Sequence, residues 1–433
     1  MVHRGIMNRR LFLTTTLATS ALRPLFAANP AAVAAEQAHT EIWRRFIDAH
    51  GIMIDFTDLE GNVSLPTPEE CREGKPNALG WWSPIENGAM FNGLFMDAAI
   101  LRWKRTQSDD DAAKARKLME GLLMLNSISE VKGFVGRGVS TDGRSHYAMG
   151  SNDQTMPWYL GLWRYWESGL ATPAEKQRIT QHLVETTEEV MRLGWKMPAE
   201  PPFGTRGSFE GFHFEEVARK LFVMKLLHRV TAEEKWRTLY HTELDLRGGE
   251  TGESKRQICR TGMKFWYSHR HNWTSCAAVG ALRGLWELES DPALKAIYRE
   301  GLIATAHLAA ESLPLALQFD NADTSYFEMN WRVMNAEWKP QTTEQEAQAL
   351  AQVQMKMFRQ LAPRRGKETA FVREPSAAAW NVMLCPDTDV LKQHGAEVQK
   401  LIAHFDYRKL YYSQFFWVEA AWERCLLEKL ATP

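Results

Sequence analysis

The sequence has little cysteine and almost no net charge, and both shortages narrow the classes of protein to which it can belong. Among 433 residues there are five cysteines, an odd number, and no two of them stand in a Cys-x-x-Cys pair. A cysteine zinc site or a dithiol redox motif is therefore not expected. An exported location would permit a disulfide, but the sequence cannot pair the cysteines. A formal net charge of −1 gives no reason to expect nucleic acid or an anionic membrane surface as a partner.

Long apolar runs, strand-like runs and flexible linkers are scarce as well. The apolar stretch near the N-terminus is interrupted by threonines at 14–16 and by Arg23. It is too short and too polar for a transmembrane helix, so we expect no membrane insertion. No glycine/serine-rich or proline-rich linker divides the rest of the chain, and this predicts one large domain.

The N-terminus carries a pattern typical of an export signal. Arg9 and Arg10 are followed by Leu11, Phe12 and Leu13, and alanine-rich stretches suitable for cleavage occupy 26–36. Paired arginines before an apolar segment are typical of twin-arginine leaders, which carry folded proteins across a membrane. We therefore expect a leader at 1–36, a catalytic domain at 37–433, and a periplasmic or secreted location.

Helical signals dominate beyond the leader and recur every few tens of residues. Two of them are proline-containing reciprocal caps, Ser83 to Glu86 and Thr172 to Glu175. The periodicity predicts helices over 41–50, 83–104, 111–127, 151–167, 172–193, 213–228, 231–242, 273–289, 292–313, 327–335, 343–361, 375–383, 390–405 and 413–430. About a dozen helices in consecutive hairpins predict an all-α fold, a single (α/α)6 toroid without a C-terminal β-sandwich. An open helical solenoid is the competing fold, and the absence of a repeated signature disfavours it.

The segment from 133 to 169 is the strongest candidate for a functional region. Its glycine-punctuated first half carries Arg137, Arg144, His146 and Tyr147, and its second half is an amphipathic aromatic helix. Ser151 and Gln154 have the spacing of a reciprocal N-terminal cap, which would place Asp153 in the first turn. There the helix dipole stabilises an ionised carboxylate, so Asp153 suits a general base; capping the helix is the alternative role.

Other loop-to-helix junctions hold similar groups. Among 17 tryptophans, most of which are expected to fill helix interfaces, some suit the stacking of sugar rings. Glu86 is expected to serve the helix cap. The run from His269 to Trp273 could bind an acidic sugar through its arginine and asparagine, whereas His-x-His without a carboxylate is weak support for a metal. The candidate binding residues are Trp82, Asn87, Asn92, Arg137, Arg144, Trp158, Arg206, His271, Trp273 and Tyr326.

Two stretches resemble known carbohydrate-active families. SNDQTMPWYLGLWRYWES and ENGAMFNGLFMDAAI resemble the inner-helix starts of six-hairpin glycosidases that act on glucuronyl or unsaturated uronyl saccharides. This resemblance implies an (α/α)6 barrel and hydrolysis assisted by Asp153. HNWTSCAAVGALRGLWELESD resembles a helix of heparinase-like polysaccharide lyases. That resemblance implies that Asn272 neutralises a uronate, with Tyr147, His146, His213 or Tyr326 transferring the proton.

These observations lead to one principal expectation about function. We expect a glycoside hydrolase that acts on an acidic saccharide by general acid and base catalysis, without a metal or another cofactor. A lyase that cleaves by β-elimination is the first alternative, and a non-catalytic carbohydrate-binding protein on the same scaffold is the second. The candidate catalytic residues are Asp153, His146, Tyr147, Asn272 and His213.

Overall fold

The structure is a computed structural model, and it describes residue 1 and residues 29–265 and 271–432. Within these residues the chain is mostly helical, which confirms the all-α prediction. The α-helices are α1 Pro30–Glu41, α2 Pro68–Glu73, α3 Gly88–Thr106, α4 Asp109–Leu125, α5 Asn152–Glu167, α6 Pro173–Arg192, α7 Phe214–Thr231, α8 Glu234–Asp245, α9 Lys255–Thr261, α10 Asn272–Leu288, α11 Pro292–Ala310, α12 Glu344–Leu361, α13 Pro363–Glu368, α14 Glu374–Met383, α15 Thr388–His404 and α16 Trp417–Leu427.

Shorter elements connect these helices. Two antiparallel hairpins pair β1 (Lys196–Pro198) with β2 (Thr205–Ser208), and β3 (Arg247–Gly248) with β4 (Glu253–Ser254). Wider π turns and tighter 3₁₀ turns also occur, namely π segments Ile42–Phe46 and Thr369–Arg373 and 3₁₀ segments Leu313–Gln318, Trp331–Glu337 and Tyr407–Lys409. Past β4 the described residues contain no further strand, so they hold no C-terminal β-sandwich.

Six of the helices contact one another in a closed circuit. In order around it they are α3, α5, α7, α10, α14 and α16, and α16 packs back against α3; α5 also contacts α10, more extensively than it contacts α7. A second set lies outside this circuit: α4 packs on α3 and α5, α6 on α5 and α7, α8 on α7, α11 on α10 and α14, and α15 on α14 and α16. Helix α1 also packs on α15 and α16.

The sequence explains which helices lie inside. In α3, every residue from Gly88 to Ile100 is buried, as expected for a helix whose surface is apolar on nearly all sides. Its approach to α5 is close, because a Cβ atom on Gly93 would lie 2.0 Å from the carbonyl oxygen of Pro157. By contrast, α6 and α15 bury one stripe and expose the rest, so they form the outer layer.

Local start signals are correct for outer helices and wrong for two inner ones. The reciprocal cap of Thr172 and Glu175 is present at α6, and both hydrogen bonds form. The caps predicted from Ser83 and from Ser151 with Gln154 do not form: α3 begins at Gly88, and the first turn of α5 has no side-chain cap. At α3 a carboxylate from a distant segment, Asp55, accepts the hydrogen bonds of Asn87 instead. At α5, Ser151 and Gln154 accept hydrogen bonds from Arg137 and Met90.

Two other helix predictions are also wrong. The helix predicted over 41–50 is instead α1 followed by a π segment, and the stretch predicted over 327–335 is a 3₁₀ segment at Trp331–Glu337. Helix α1 begins within the expected leader range and buries Ala31 and Ala35 in the core. Arg9, Arg10 and the rest of 2–28 lie outside the described residues, so the leader stays a prediction.

The described residues also show the state of the cysteines and whether any helix is suited to cross a membrane. All five cysteines are free and buried. In the part of the chain that the structure describes, no helix combines the length and the apolar character needed to cross a membrane.

Candidate functional site

A cavity of about 280 Å³ opens where the first turns of three inner helices converge. Asn87 precedes α3, Asp153 lies in the first turn of α5, and His271 precedes α10. Segments from α12 to α14 and the loop before α16 complete the wall. The lining residues are Trp81, Trp82, Glu86, Asn87, Met90, Arg137, Asp153, Arg206, His271, Trp273, Met355, Phe358, Arg359, Arg365, Gly366, Thr369, Arg373, Tyr412 and Gln414.

Two carboxylates line this cavity, and their surroundings differ. The side chain of Asp153 is 54% exposed, and its Oδ1 accepts a hydrogen bond from Nη2 of Arg219 at 3.0 Å. The side chain of Glu86 is only 15% exposed, and its nearest guanidinium nitrogen, Nη2 of Arg365, lies 3.9 Å away. Asp153 is thus a solvated, ion-paired carboxylate, whereas Glu86 lies against the wall.

Glu86 also holds a strained residue in place. Its Oε2 accepts a hydrogen bond from the backbone N–H of Trp82 at 2.7 Å, and Trp82 has a φ angle of +73°. The indole Nε1 of Trp82 donates to the carbonyl oxygen of Ala351 at 3.0 Å. A positive φ is uncommon for a large side chain and persists where neighbouring contacts fix it. These two hydrogen bonds set the position of the Trp82 indole in the wall.

A third carboxylate, Asp55, lies beneath the cavity and is almost fully buried. It accepts hydrogen bonds from the backbone N–H of Asn87 at 2.9 Å and from Nδ2 of Asn87 at 2.7 Å. Asp55 therefore caps α3 from a distant segment, which explains why no local cap is needed. Burial, and after it the negative charge of Glu86, raises the pKa of Asp55 well above its ordinary value.

Arginines outnumber carboxylates in the lining. Arg137, Arg206, Arg359, Arg365 and Arg373 line the cavity, against Glu86 and Asp153 as carboxylates. The total charge of these seven side chains is positive, so the cavity favours an anionic ligand.

Two of the arginines are already engaged. Arg137 donates to the carbonyl oxygens of Met149, Glu86 and Gly150 at 3.0, 2.8 and 3.3 Å, and burial lowers its pKa to about 10. Arg206 donates to a carboxylate oxygen of Glu344 at 2.5 Å. These two residues hold the wall together.

The start of α10 is built like that of α3. Glu374 Oε1 accepts hydrogen bonds from the backbone N–H of Asn272 at 2.7 Å and from its Nδ2 at 2.9 Å. Nδ2 of Asn272 also donates to Ser312, while Nδ2 of Asn381 donates to Oδ1 of Asn272 at 3.2 Å. Burial raises the pKa of Glu374. Asn272 is fully buried, so it supports α10 rather than lining the cavity.

The structure gathers seven of the predicted site residues around one cavity. They are Trp82, Asn87, Arg137, Asp153, Arg206, His271 and Trp273. They come from four separate stretches of the chain, as the convergence of loop-to-helix junctions predicts. His269 and Arg270, also singled out in the sequence, lie outside the described residues.

Four other predicted residues lie in the packed interior or in supporting loops. Asn92 is fully buried, where its Oδ1 accepts from the backbone N–H of Met53 and its Nδ2 donates to Gly51. Trp158 is fully buried and donates from Nε1 to the carbonyl oxygen of Leu122. Tyr147 is buried, and its hydroxyl donates to the carbonyl oxygen of Lys75 at 2.5 Å. His146 forms an ion pair with Glu200 at 3.0 Å.

The remaining three predicted residues are also outside the cavity lining. His213 lines a separate cavity of about 230 Å³ beside the β3–β4 hairpin. Arg144 is exposed in a turn organised by Asp142. Tyr326 is 61% exposed, and its hydroxyl donates to Glu328.

Sequence reasoning missed a large part of the cavity wall. Glu86 was assigned to a helix cap, and Arg365, Arg373 and Tyr412 were not singled out at all. The run Arg364 to Arg373 contains three arginines and a lysine in ten residues, a signal that could have been read. Nothing local, however, distinguishes the arginines that face a cavity from those that pair on a surface.

Comparisons with known proteins add no family assignment. Protein-family profiles, curated protein sequences and solved structures were compared with this chain, and none matched it. In residues 29–265 and 271–432 there is also no group of three or more histidine, cysteine, aspartate or glutamate side chains placed to hold a metal ion.

Proposed function

We propose that the chain is a glycoside hydrolase that acts on a uronate-containing saccharide in the cavity at the start of α3, α5 and α10. One observation carries the proposal: two carboxylates of different exposure, tryptophan side chains and an excess of arginines share one cavity. Glycoside hydrolysis needs a pair of carboxyl groups. Aromatic side chains suit sugar rings, and arginines suit a uronate carboxylate.

The finer architecture we infer is the (α/α)6 toroid. Six helices in a closed circuit, with α4, α6, α8, α11 and α15 packed outside them, support this inference; α9, α12 and α13 interrupt the alternation along the chain. The cavity lies where first turns of inner helices meet, the end at which a toroid of hairpins gathers its loops.

In the mechanism we propose, Glu86 and Asp153 divide the two proton transfers. Glu86, the less exposed carboxyl, protonates the leaving oxygen as the glycosidic bond breaks. Asp153, which is open to solvent and fixed by Arg219, takes a proton from the water that attacks the anomeric carbon. The indole of Trp82, held by Glu86 and Ala351, supports the sugar from the wall.

The position of Asn272 argues against the lyase alternative. A residue that neutralises a uronate during β-elimination must contact the carboxylate. Asn272 is fully buried, and its amide is bonded to Glu374, Ser312 and Asn381. Tyr147 and His146, the predicted proton-transfer groups, also lie outside the cavity.

The reaction class is tested by the products. Purified protein is incubated with a panel of uronate-containing oligosaccharides in ¹⁸O-labelled water, and products are identified by mass. We expect cleavage with one labelled oxygen in the products. An unsaturated product that absorbs in the ultraviolet, with products whose summed mass contains no added water, would instead establish a lyase, and binding without any cleavage would support a binding protein.

The division of roles is tested with two isosteric variants and two leaving groups. Glu86→Gln and Asp153→Asn each keep an oxygen that can accept the existing hydrogen bonds, from Trp82 and Arg219 respectively. On a sugar leaving group, each should lower turnover by on the order of a hundredfold or more. On a nitrophenyl leaving group, which needs no proton, Glu86→Gln should recover most of its turnover, whereas Asp153→Asn should not.

The controls separate chemistry from folding. Both variants must show the thermal transition of the parent protein. If Glu86→Gln loses as much turnover on the nitrophenyl substrate as on the oligosaccharide, Glu86 is not the proton donor. Near-parental turnover in both variants on both substrates would remove this carboxylate pair from the reaction.

A further inference from the structure

Two arginines in the cavity wall, the buried Arg365 and the half-buried Arg373, each leave a guanidinium nitrogen without a hydrogen-bond partner in the described part of the chain. Arg365 is 8% exposed, and its Nη1 is buried without a hydrogen-bond partner in the described part of the chain. The nearest carboxylate oxygen to Arg365, on Glu86, is 3.9 Å away, beyond hydrogen-bonding distance. Nε of Arg373 is likewise buried without a partner among the described residues.

Aromatic rings hold both guanidinium groups in place. The Arg365 guanidinium carbon lies 4.3 Å from the ring centre of Phe358, 4.9 Å from that of Trp82 and 5.0 Å from that of Tyr412. The Arg373 guanidinium carbon lies 4.0 Å from the ring centre of Trp273. Such contacts restrict the side-chain rotamers, so little conformational entropy remains to be lost on binding.

Burying a guanidinium N–H without an acceptor costs free energy, even where a carboxylate lies nearby. The buried Arg365 has Glu86 at 3.9 Å, and the half-buried Arg373 is influenced by the charges of Glu374 and Glu86, yet each keeps one buried nitrogen without a hydrogen bond among the described residues. Burial lowers the pKa of Arg373 to about 10, which still leaves it charged at neutral pH. Arg137 and Arg206 line the same cavity, but most of their donors are already used, by backbone carbonyls for Arg137 and by Glu344 for Arg206, although Nε of Arg206 is also buried without a partner among the described residues. Unused guanidinium donors in the wall of a concave site offer hydrogen bonds to an anionic ligand.

We propose that Arg365 and Arg373 form the anion subsite of the cavity and bind the carboxylate of a hexuronate. A guanidinium group presents N–H donors in a planar fork that fits the two oxygens of a carboxylate. The inference rests on the proposed hydrolase function for its substrate, and it locates the preference for acidic over neutral sugars in the Arg365 to Arg373 segment. Neither Arg144 nor Arg270 is needed for it.

The experiment compares paired sugars that differ only at C6. kcat/KM is measured for glucuronide and glucoside substrates with the same leaving group, and binding of glucuronate, glucose and inorganic sulfate is measured by calorimetry. Arg365→Gln and Arg373→Gln should each lower the preference for the glucuronide by roughly ten- to a hundredfold, the scale of a charge-assisted hydrogen bond. Most of the change should appear in KM and in glucuronate affinity.

Lysine variants and a surface control sharpen the result. Arg365→Lys and Arg373→Lys keep the charge but lose the fork, so their preference should lie between those of the parent and the glutamine variants. Arg192→Gln is the matched control, because Arg192 is 67% exposed and, among the described residues, its one ion pair is with Glu189 three positions earlier on α6. Its preference should equal that of the parent protein.

The outcomes separate this inference from the proposed function. Hydrolysis with an unchanged glucuronide preference in folded glutamine variants overturns the anion subsite and leaves the hydrolase standing. Glucuronate binding that the variants abolish, in a protein that cleaves no substrate, supports the subsite and overturns the hydrolase. Sulfate or a sulfated sugar bound more tightly than glucuronate would refute the carboxylate as the ligand.

Discussion

Asp97 offers a test of how the inner helices are held together away from the cavity. This residue of α3 is 3% exposed, and its two carboxylate oxygens accept hydrogen bonds from Nε and Nη2 of Arg424 in α16, both at 2.7 Å. Oδ2 also accepts from Nε1 of Trp380 in α14 at 3.0 Å, and Nε of Arg164 in α5 lies 3.3 Å from Oδ1. One carboxylate thus joins four inner helices.

We expect Asp97→Asn to destabilise the fold by about 3 to 5 kcal/mol, the cost of breaking a buried ion pair. The substitution keeps the shape, but it leaves the buried guanidinium of Arg424 without its counter-ion and turns an amide donor towards another donor. Asp110→Asn is the matched control, since Asp110 is 73% exposed and pairs only with Lys114 one turn away. Its effect should stay below about 1 kcal/mol.

The measurement is equilibrium unfolding in guanidinium chloride, followed by far-ultraviolet circular dichroism and tryptophan fluorescence. Coincident transitions by the two probes justify a single free energy of unfolding. A loss of under about 1 kcal/mol for Asp97→Asn at pH 7, no larger than that of the control, would refute the argument that a buried unpaired guanidinium is costly here.

The difference in stability between the parent protein and Asp97→Asn should also depend on pH, with a sign that follows from the pKa of Asp97. Burial raises the pKa of Asp97, but the charges of Arg424 and Arg164 outweigh that effect and hold it below its ordinary value. The contribution of Asp97 is therefore fully present above the unfolded pKa of about 3.9 and is lost as the pH falls through the lower folded pKa. The stability difference between parent and Asp97→Asn should stay constant from pH 7 to about pH 5 and shrink below pH 4.

Two further predictions concern groups outside the cavity. Burial opposes the charged form of His146, but the hydrogen bond to Glu200 outweighs it and raises the pKa of His146. His146→Gln should therefore destabilise the protein more at pH 6 than at pH 9 and leave turnover unchanged. A large loss of turnover in the folded variant would contradict the position of His146 outside the cavity. Burial raises the pKa of Cys71, Cys259 and Cys425 to about 12 each. These thiols should therefore resist alkylation by iodoacetamide at pH 8 in the native protein and react after unfolding, with the number of added groups counted by mass spectrometry. Rapid labelling of the native protein would contradict their burial.

Helix positions were predictable because their signals are local. The predicted helix over 172–193 matches α6, Pro173–Arg192, because Thr172, Pro173 and Glu175 build the cap from adjacent residues. The all-α class follows from the same periodicity repeated along the chain. The caps of α3 and α10 could not be predicted in this way, since Asp55 and Glu374 reach their helix starts from distant segments.

The cavity was predictable only in the residues that stand at helix starts. Asp153, Asn87 and His271 were accessible to sequence reasoning because a loop-to-helix junction places them at one end of an inner helix. Residues inside a helical pattern were misplaced. Trp158 follows Asp153 by five positions, yet it points into the core, because the angle around the helix axis that faces the cavity depends on tertiary packing.

The role proposed for Arg365 and Arg373 was not predictable from the sequence, because it depends on hydrogen bonds that they do not make. Arg364, next to Arg365, is also buried, but its side chain pairs with Glu368 and donates to backbone carbonyls, as a structural arginine does. The three are the same residue type within one short segment, and only the folded arrangement of acceptors separates them. One side chain can also combine a structural contact with a position in the cavity. The hydrogen bond that fixes Trp82 uses one oxygen of Glu86 and leaves its carboxyl group in the cavity wall. The sequence shows that Glu86 has the spacing of a capping residue, but it does not show that Glu86 lies beside Arg365. Giving each polar residue a single role is therefore the step at which prediction from the sequence fails here.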